Sequence, residues 1–437
     1  MSLYDFKAVV KVLIFEQKTN ESFQILNFIS TFAAKMAGLY IHIPFCASRC
    51  IYCGFYSTTH LDLRQQYVDA VCREMEIRGE RREERGERNA SSANIETIYL
   101  GGGTPSQLTI PQLRQLFIYI NKVYDLTGGQ TPCAMRRTEG LSPCEVTIEL
   151  NPDDVTPEFA EVLPQLGVNR VSMGAQTFDD RRLQFLRRRH TAVQVPVAVQ
   201  RLRDVGIRNI SVDLMYGFPN ETIDDWQRDI DAVLELDVEH ISAYCLMVEE
   251  NTPLHRMGIE PCDEETERAM YELLIDKLTS AGYEHYEISN FARPGRRSRH
   301  NSSYWHDVPY IGLGAAAHSY MPHPTVPNSF AVGTRAVRSW NTPDLRAYIA
   351  AINRNHIPSD REVLDPDTHY NDRIATALRT VDGLDLTTLS DRHRRYCLQE
   401  AQGLLKDGLL RLADNRLMLT RRGLFVSDMV MSQLILV

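Results

Sequence analysis

The sequence predicts an α/β protein: an incomplete (β/α)6 barrel followed by a C-terminal α+β region that ends in a winged-helix-like domain. Three observations carry this. Six short β-rich runs recur before residue 250, segments with helical periodicity separate them, and polar or glycine residues able to carry chemistry follow nearly every run. Strand, helix, strand in repetition means a parallel sheet. Reactive residues at successive strand exits fit the C-terminal mouth of a barrel better than an open nucleotide-binding sheet.

The strand-like runs are LYIHI (39–43), IETIYL (95–100), EVTIEL (145–150), RVSMGA (170–175), NISVDLM (209–215) and HISAYCL (240–246). Helical periodicity covers 111–123, 191–205 and 222–236. From 261 to 289 a helix and the short strand YEHYEIS close the side of the barrel. The segment RGERREERGER (78–88) reads as a solvated helix face, and 128–144 as a loop in which Cys133 and Cys144 are free thiols. A Pro/Gly/Arg-rich break at 292–299 introduces a different texture. Residues 371–437 read as two helices, a hairpin turning on Asp414 and Asn415, and a final helix. The expected division is an extension at 1–35, the barrel at 36–290, a connecting region at 291–370 and the winged-helix-like domain at 371–437.

A chain of 437 residues is long enough for a large core and more than one domain, and 43% hydrophobic with 24% charged residues is ordinary globular composition. The net charge of -9 disfavours a general nucleic-acid binder. Residues 371–437 carry ten Lys/Arg against eight Asp/Glu, so no basic stripe supports DNA binding by the wing. Nine cysteines, three of them packed between 46 and 53, make a poor disulfide framework and point to a reducing compartment and metal ligation. No run reaches the roughly 18 apolar residues of a membrane helix, and residues 8–35 lack the order of a signal peptide. A cytoplasmic protein is expected, with membrane contact only transient and through partners.

The run IHIPFCASRCIYCGFYS places Cys46, Cys50 and Cys53 in C-x3-C-x2-C spacing directly after a strand. Thiolates so spaced can hold three corners of a cubane [4Fe-4S] cluster and leave the fourth iron open. Tetrahedral zinc is the alternative, but it wants a fourth Cys or His. His42 is near in sequence, yet it alternates with apolar neighbours inside the strand and is expected to be buried.

With an aromatic residue, Tyr52, before the third cysteine, this motif resembles the signature of the radical S-adenosylmethionine (SAM) superfamily. The resemblance implies that SAM chelates the open iron and is cleaved reductively. It further implies a SAM site formed by Tyr40, Tyr52, Gly102, Gly103, Thr104, Glu149, Gln176, Arg188, Asp213 and Met247. The glycine run GGGTP would meet the ligand through backbone, with little room for side chains. Glu149, Gln176, Arg188 and Asp213 supply acceptors for an amine and hydroxyls and a donor for a carboxylate.

IHIPFC, GGGTP, SMGAQTF, DLMYGFP, YEISNFARP, HNSSYW and IGLGAAAHSY together resemble the oxygen-independent coproporphyrinogen III oxidase group, from about residue 38 to the C-terminus. That group contains coproporphyrinogen III dehydrogenases, which make protoporphyrinogen IX by radical decarboxylation, and HemW-type heme chaperones. The dehydrogenase pattern has a fourth cysteine two residues after the third, where this chain has Phe55. The resemblance therefore implies a heme chaperone that delivers heme to acceptor hemoproteins such as respiratory-chain components. HNSSYW matches the H-N-x-x-Y-W motif of that type, which makes His300 the candidate heme ligand, with His318 a rival. Residues 1–35 lie outside the resemblance and are expected to be an upstream start or a poorly packed extension.

Overall fold

The computed structural model describes residues 38–84, 95–124, 144–322 and 336–437. The extension at 1–35, part of the charge-rich run and Cys133 lie outside the described residues. Six strands, β1 (Gly38–Ile43), β2 (Thr97–Gly102), β3 (Glu145–Leu150), β4 (Arg170–Gln176), β5 (Ile210–Tyr216) and β6 (His240–Cys245), pair in parallel in chain order. This is the expected incomplete barrel. Its outward residues, such as Leu39, Ile41, Ile98, Ile148, Val171 and Val212, are fully or almost fully buried under the helices, as in parallel sheets covered on one side. Its inward residues are polar.

The helices follow from caps and apolar spacing. Thr222 and Asp225 form a reciprocal capping box at the start of the Ile223–Glu235 helix. Trp226, Ile230 and Val233 then fall on one face and are completely buried. Trp226 also donates from its indole nitrogen to the Met270 carbonyl at 3.0 Å. Truncating it to alanine removes both packing and a satisfied polar group, a loss of about 3–5 kcal/mol.

Further strands extend the sheet at both ends, from the last barrel segment and from the connecting region. β8 (Asn290–Ala292) pairs antiparallel with β6, and β7 (Glu284–Glu287) with β8. On the opposite side β9 (Tyr310–Leu313) lies parallel to β1, followed antiparallel by β10 (His318–Pro322), β11 (Ala336–Asn341) and β12 (Ser359–Val363). The result is a twelve-stranded sheet in which neither β1 nor β6 is left as a bare edge. Glu74, completely buried, locks this side: it accepts hydrogen bonds from Arg78, Asn341, Gly314 N–H and Tyr348.

The C-terminal module has its own core, which includes Tyr370, Ile374, Leu404, Leu417, Val430 and Leu434. Helices Pro366–Ala377, Asp391–Lys406 and Ser427–Leu434 pack on a small sheet ordered β13 (Leu384–Asp385), β15 (Arg416–Leu419), β14 (Leu410–Ala413). Asp414 and Asn415 turn the hairpin with φ of 50° and 60°, as a type I′ turn requires. The module docks on the barrel through Arg379, which donates to buried Glu287 at 2.6 and 2.8 Å.

Candidate functional site

The strand exits, the loop after β1 and the C-terminal module enclose a cavity of about 960 Å³. Every residue expected to hold cluster, SAM or heme lines it: Cys46, Cys50, Cys53, Tyr40, Tyr52, Gly102, Gly103, Thr104, Glu149, Gln176, Arg188, Asp213, Met247 and His300. Sequence positions spread over more than half the chain therefore converge on one space.

The cysteine loop is fixed at its neck. Cys46 N–H donates to the Thr58 carbonyl at 2.9 Å, and Thr58 N–H to that of Pro44 at 2.7 Å. The Cys46 thiol meets the Thr104 hydroxyl at 3.6 Å, which ties the loop to the glycine-rich exit of β2. Burial raises the Cys46 pKa, while the Thr104 hydrogen bond opposes that shift. Arg188 donates to Cys50 Sγ at 3.6 Å, Asn151 Oδ1 at 2.7 Å and the Gly174 carbonyl at 2.5 Å. Among the described residues no three His, Cys, Asp or Glu side chains close around a single-ion position. All three thiols line the cavity.

The glycines are required here. Gly102 has φ of +110°, and a Cβ there would collide with the His42 ring. A Cβ on Gly103 would come within 2.8 Å of the Ile43 carbonyl oxygen, the acceptor of its own N–H. His42 itself is buried between the Tyr40 hydroxyl and the Tyr56 carbonyl, each at 3.0 Å, and stands beside the ligand space as a support.

Deeper in the lumen Glu149 accepts from the Tyr99 hydroxyl at 2.7 Å and from Gly102 N–H at 3.1 Å. Burial pushes its pKa up to about 7. Asp213 accepts from the Ser172 hydroxyl at 3.3 Å, and burial pushes it up to about 6. A register shift between Gly174 and Gln176, with Gln176 at φ 72°, turns that side chain into the site. Sequence reasoning passed over Tyr99, Arg170, Ser172, Ser242 and Tyr244, all of which line the cavity. Their signal was the two-residue alternation Arg170, Ser172, Gly174, Gln176.

His300 sits in the Arg299–Trp305 helix, capped by Ser298. The ring is 1% exposed, with Nδ1 bonded to the Thr97 hydroxyl and Nε2 to the Tyr304 hydroxyl, each at 2.8 Å. Burial first, then the charge of Arg170, push its pKa down to about 3. Contrary to the expectation for a heme ligand, both its nitrogens are engaged within the protein. His318 is exposed on the cavity wall, its ring stacked on Trp340 at 6.0 Å. Phe55 is 39% exposed on the same wall.

The radical SAM superfamily model matches residues 40–233, and the HemN C-terminal domain model matches 364–426. A protein of Bacillus subtilis named heme chaperone HemW is 32% identical over 408 residues, covering 90% of this chain and 98% of the relative. The chain belongs to the HemW family of radical SAM proteins. A HemW of Mycobacterium tuberculosis is 30% identical, covering 91% of this chain and 94% of the relative. The solved structure of coproporphyrinogen III oxidase (HemN) from Escherichia coli covers 92% of this HemW-family chain and 91% of its own at a TM-score of 0.73. At 19% identity that likeness shows a shared fold. Membership implies a [4Fe-4S] cluster and SAM, and the donor set fits them: three thiols line one cavity with the carboxylates Glu149 and Asp213, Glu149 bonded to the glycine exit and the Arg188 guanidinium to Cys50. Among the described residues no helix is long and apolar enough to cross a membrane.

Proposed function

We propose that this protein is a heme chaperone. It holds a [4Fe-4S] cluster on Cys46, Cys50 and Cys53, SAM against the strand exits, and heme in the outer part of the same cavity. It delivers the heme to acceptor hemoproteins, with respiratory-chain components the expected class. The observation that carries this reading is Phe55, an exposed ring lining the cavity at the position where the sequence resemblance puts a fourth cysteine in the dehydrogenase pattern. A phenyl ring supplies apolar surface for a porphyrin and no sulfur for chemistry.

Cluster and SAM together supply reductive bond-cleavage chemistry when bound. The chain's own residues bind and orient. Gly102 and Gly103 bring backbone close to the ligand, Glu149 and Asp213 accept from amine and hydroxyl groups, and Arg188 donates to a carboxylate. Tyr40, Tyr52, Thr104, Gln176 and Met247 complete the walls of that pocket. For heme, Trp305 and Trp340 offer flat apolar faces, and both His318 and His300 line the cavity. His318, exposed where His300 is buried, is the favoured iron ligand. Ligation through His300 requires release of the Tyr304 hydrogen bond.

The full set of SAM-facing residues favours a second reading, an oxygen-independent coproporphyrinogen III dehydrogenase. One pair of experiments separates the two. The anaerobically reconstituted protein is titrated with hemin, and assayed with coproporphyrinogen III, SAM and a reductant. Stoichiometric heme binding without decarboxylation is expected, and formation of protoporphyrinogen overturns the chaperone reading.

A further inference from the structure

Arg170 opens β4 and is 1% exposed, among the largest completely buried side chains of the protein. It pairs in register with Thr147 of β3, and alternation places it on the inward face with Ser172, Gly174 and Gln176. Its guanidinium reaches the cavity, yet Nε and Nη1 have no hydrogen-bond partner among the described residues. A buried cation without a contact partner costs several kcal/mol unless nearby opposite charge offsets it. Two carboxylates stand on the strands that flank β4, Glu149 on β3 in register with Ser172 and Asp213 on β5 in register with Gly174, and each accepts from neutral donors.

We propose that Arg170 is a positioning residue for the SAM site, whose charge keeps Glu149 and Asp213 ionised inside the barrel so that both accept hydrogen bonds from the ligand. This rests on the reading that SAM occupies the strand exits. Burial drives both acids toward neutrality; hydrogen bonds from Tyr99 and Gly102 to Glu149, and from Ser242 to Asp213, oppose that drive, and the charge of Arg170 opposes it in both. Glu149 is faced by Tyr99 from β2, Tyr40 from β1, Asp213 from β5, and Tyr304 from the Arg299–Trp305 helix. Those tyrosines are held neutral by burial, and so is His300 of that helix. Asp213 is faced by Ser172 of β4, Ser242 and Tyr244 of β6, and Arg188 beyond β4. Arg188 also bears on Asp213 with its charge, and it keeps Nε free of partners among the described residues while Nη1 and Nη2 hold Cys50, Asn151 and Gly174. An acid that turns neutral loses the charge that attracts the ligand amine, and one of its two oxygens becomes a hydroxyl donor, so its acceptor capacity falls.

The test compares wild type, Arg170→Met and Arg170→Lys. Carboxyl protonation is followed by infrared titration of the ligand-free protein, with Glu149→Gln and Asp213→Asn assigning the bands. SAM affinity of the cluster-reconstituted protein is measured by equilibrium dialysis from about pH 6 to about pH 9. In Arg170→Met both carboxyl midpoints should rise by about one unit, with SAM binding about tenfold weaker near pH 7 and recovered near pH 9. Arg170→Lys should keep the wild-type profile. Unchanged midpoints in Arg170→Met, a pH-independent loss of affinity, or tighter SAM binding each overturn the proposal. If Arg170→Met does not fold, Arg170→Gln removes the charge with less loss of polarity and carries the same expectation. Wild type that binds no SAM at any pH removes the SAM reading, and the infrared midpoints still decide what Arg170 does to the two acids.

Discussion

The buried carboxylates make the site expensive in stability, and Asp213→Asn measures how expensive. Burial lifts the Asp213 pKa from 3.8 to about 6, roughly two units, which corresponds to about 3 kcal/mol. That is an upper figure, because the carboxylate borders the cavity. The sign follows from linkage: with the folded pKa above the unfolded one, the folded state binds the proton more tightly, and stability falls as pH rises from about 4. The loss is about half developed at pH 5 and complete above about pH 7. Asn keeps the shape and cannot ionise. In urea unfolding of the ligand-free protein followed by tryptophan fluorescence, the variant should gain about 1–2 kcal/mol on wild type between about pH 5 and about pH 8. Comparing the two proteins at each pH cancels groups common to both. Parallel stability curves, or a wild type that gains on the variant as pH rises, would refute the reasoning.

Cys46→Ala should abolish the broad absorption near ~400 nm of the reconstituted cluster and most of its iron and sulfide, measured by anaerobic spectroscopy and colorimetric assay. Retention of both removes the cluster assignment. Glu74→Gln places an amide N–H₂ among donors that all point at one buried carboxylate, so unfolding free energy should drop by about 3–5 kcal/mol in denaturant titration. A drop under about 1 kcal/mol contradicts the network. His318→Ala should alter the Soret band of the heme complex more than His300→Ala does, and the reverse order returns the ligand role to the HNSSYW histidine.

Much of this was legible because periodicity and caps are local. The six barrel strands lie within two residues of their apolar runs, and the helix expected at 222–236 spans Ile223–Glu235 because Thr222 is its cap. The strands β8 to β12 were hidden because they are three to six residues long and pair with strands more than forty residues away, except where neighbours meet. The helix at Arg299–Trp305 was not read from the sequence, because its seven residues are too short for periodicity and depend on the Ser298 cap and packing against β2. Cys46, Cys50, Cys53 and the glycine exit announced themselves by spacing. Arg170 did not: an arginine at the first position of an apolar run looks like surface, and its burial depends on which way the barrel wall faces.

The central claim is delivery of heme, so the most direct measurement is transfer. Heme-loaded protein, freed of excess hemin, is mixed anaerobically with an apo-hemoprotein in excess, and the Soret band of the acceptor is followed by stopped flow. The account expects a transfer rate that rises with acceptor concentration and exceeds spontaneous heme release. A rate equal to spontaneous release at every acceptor concentration, or heme that stays with the protein, would contradict it.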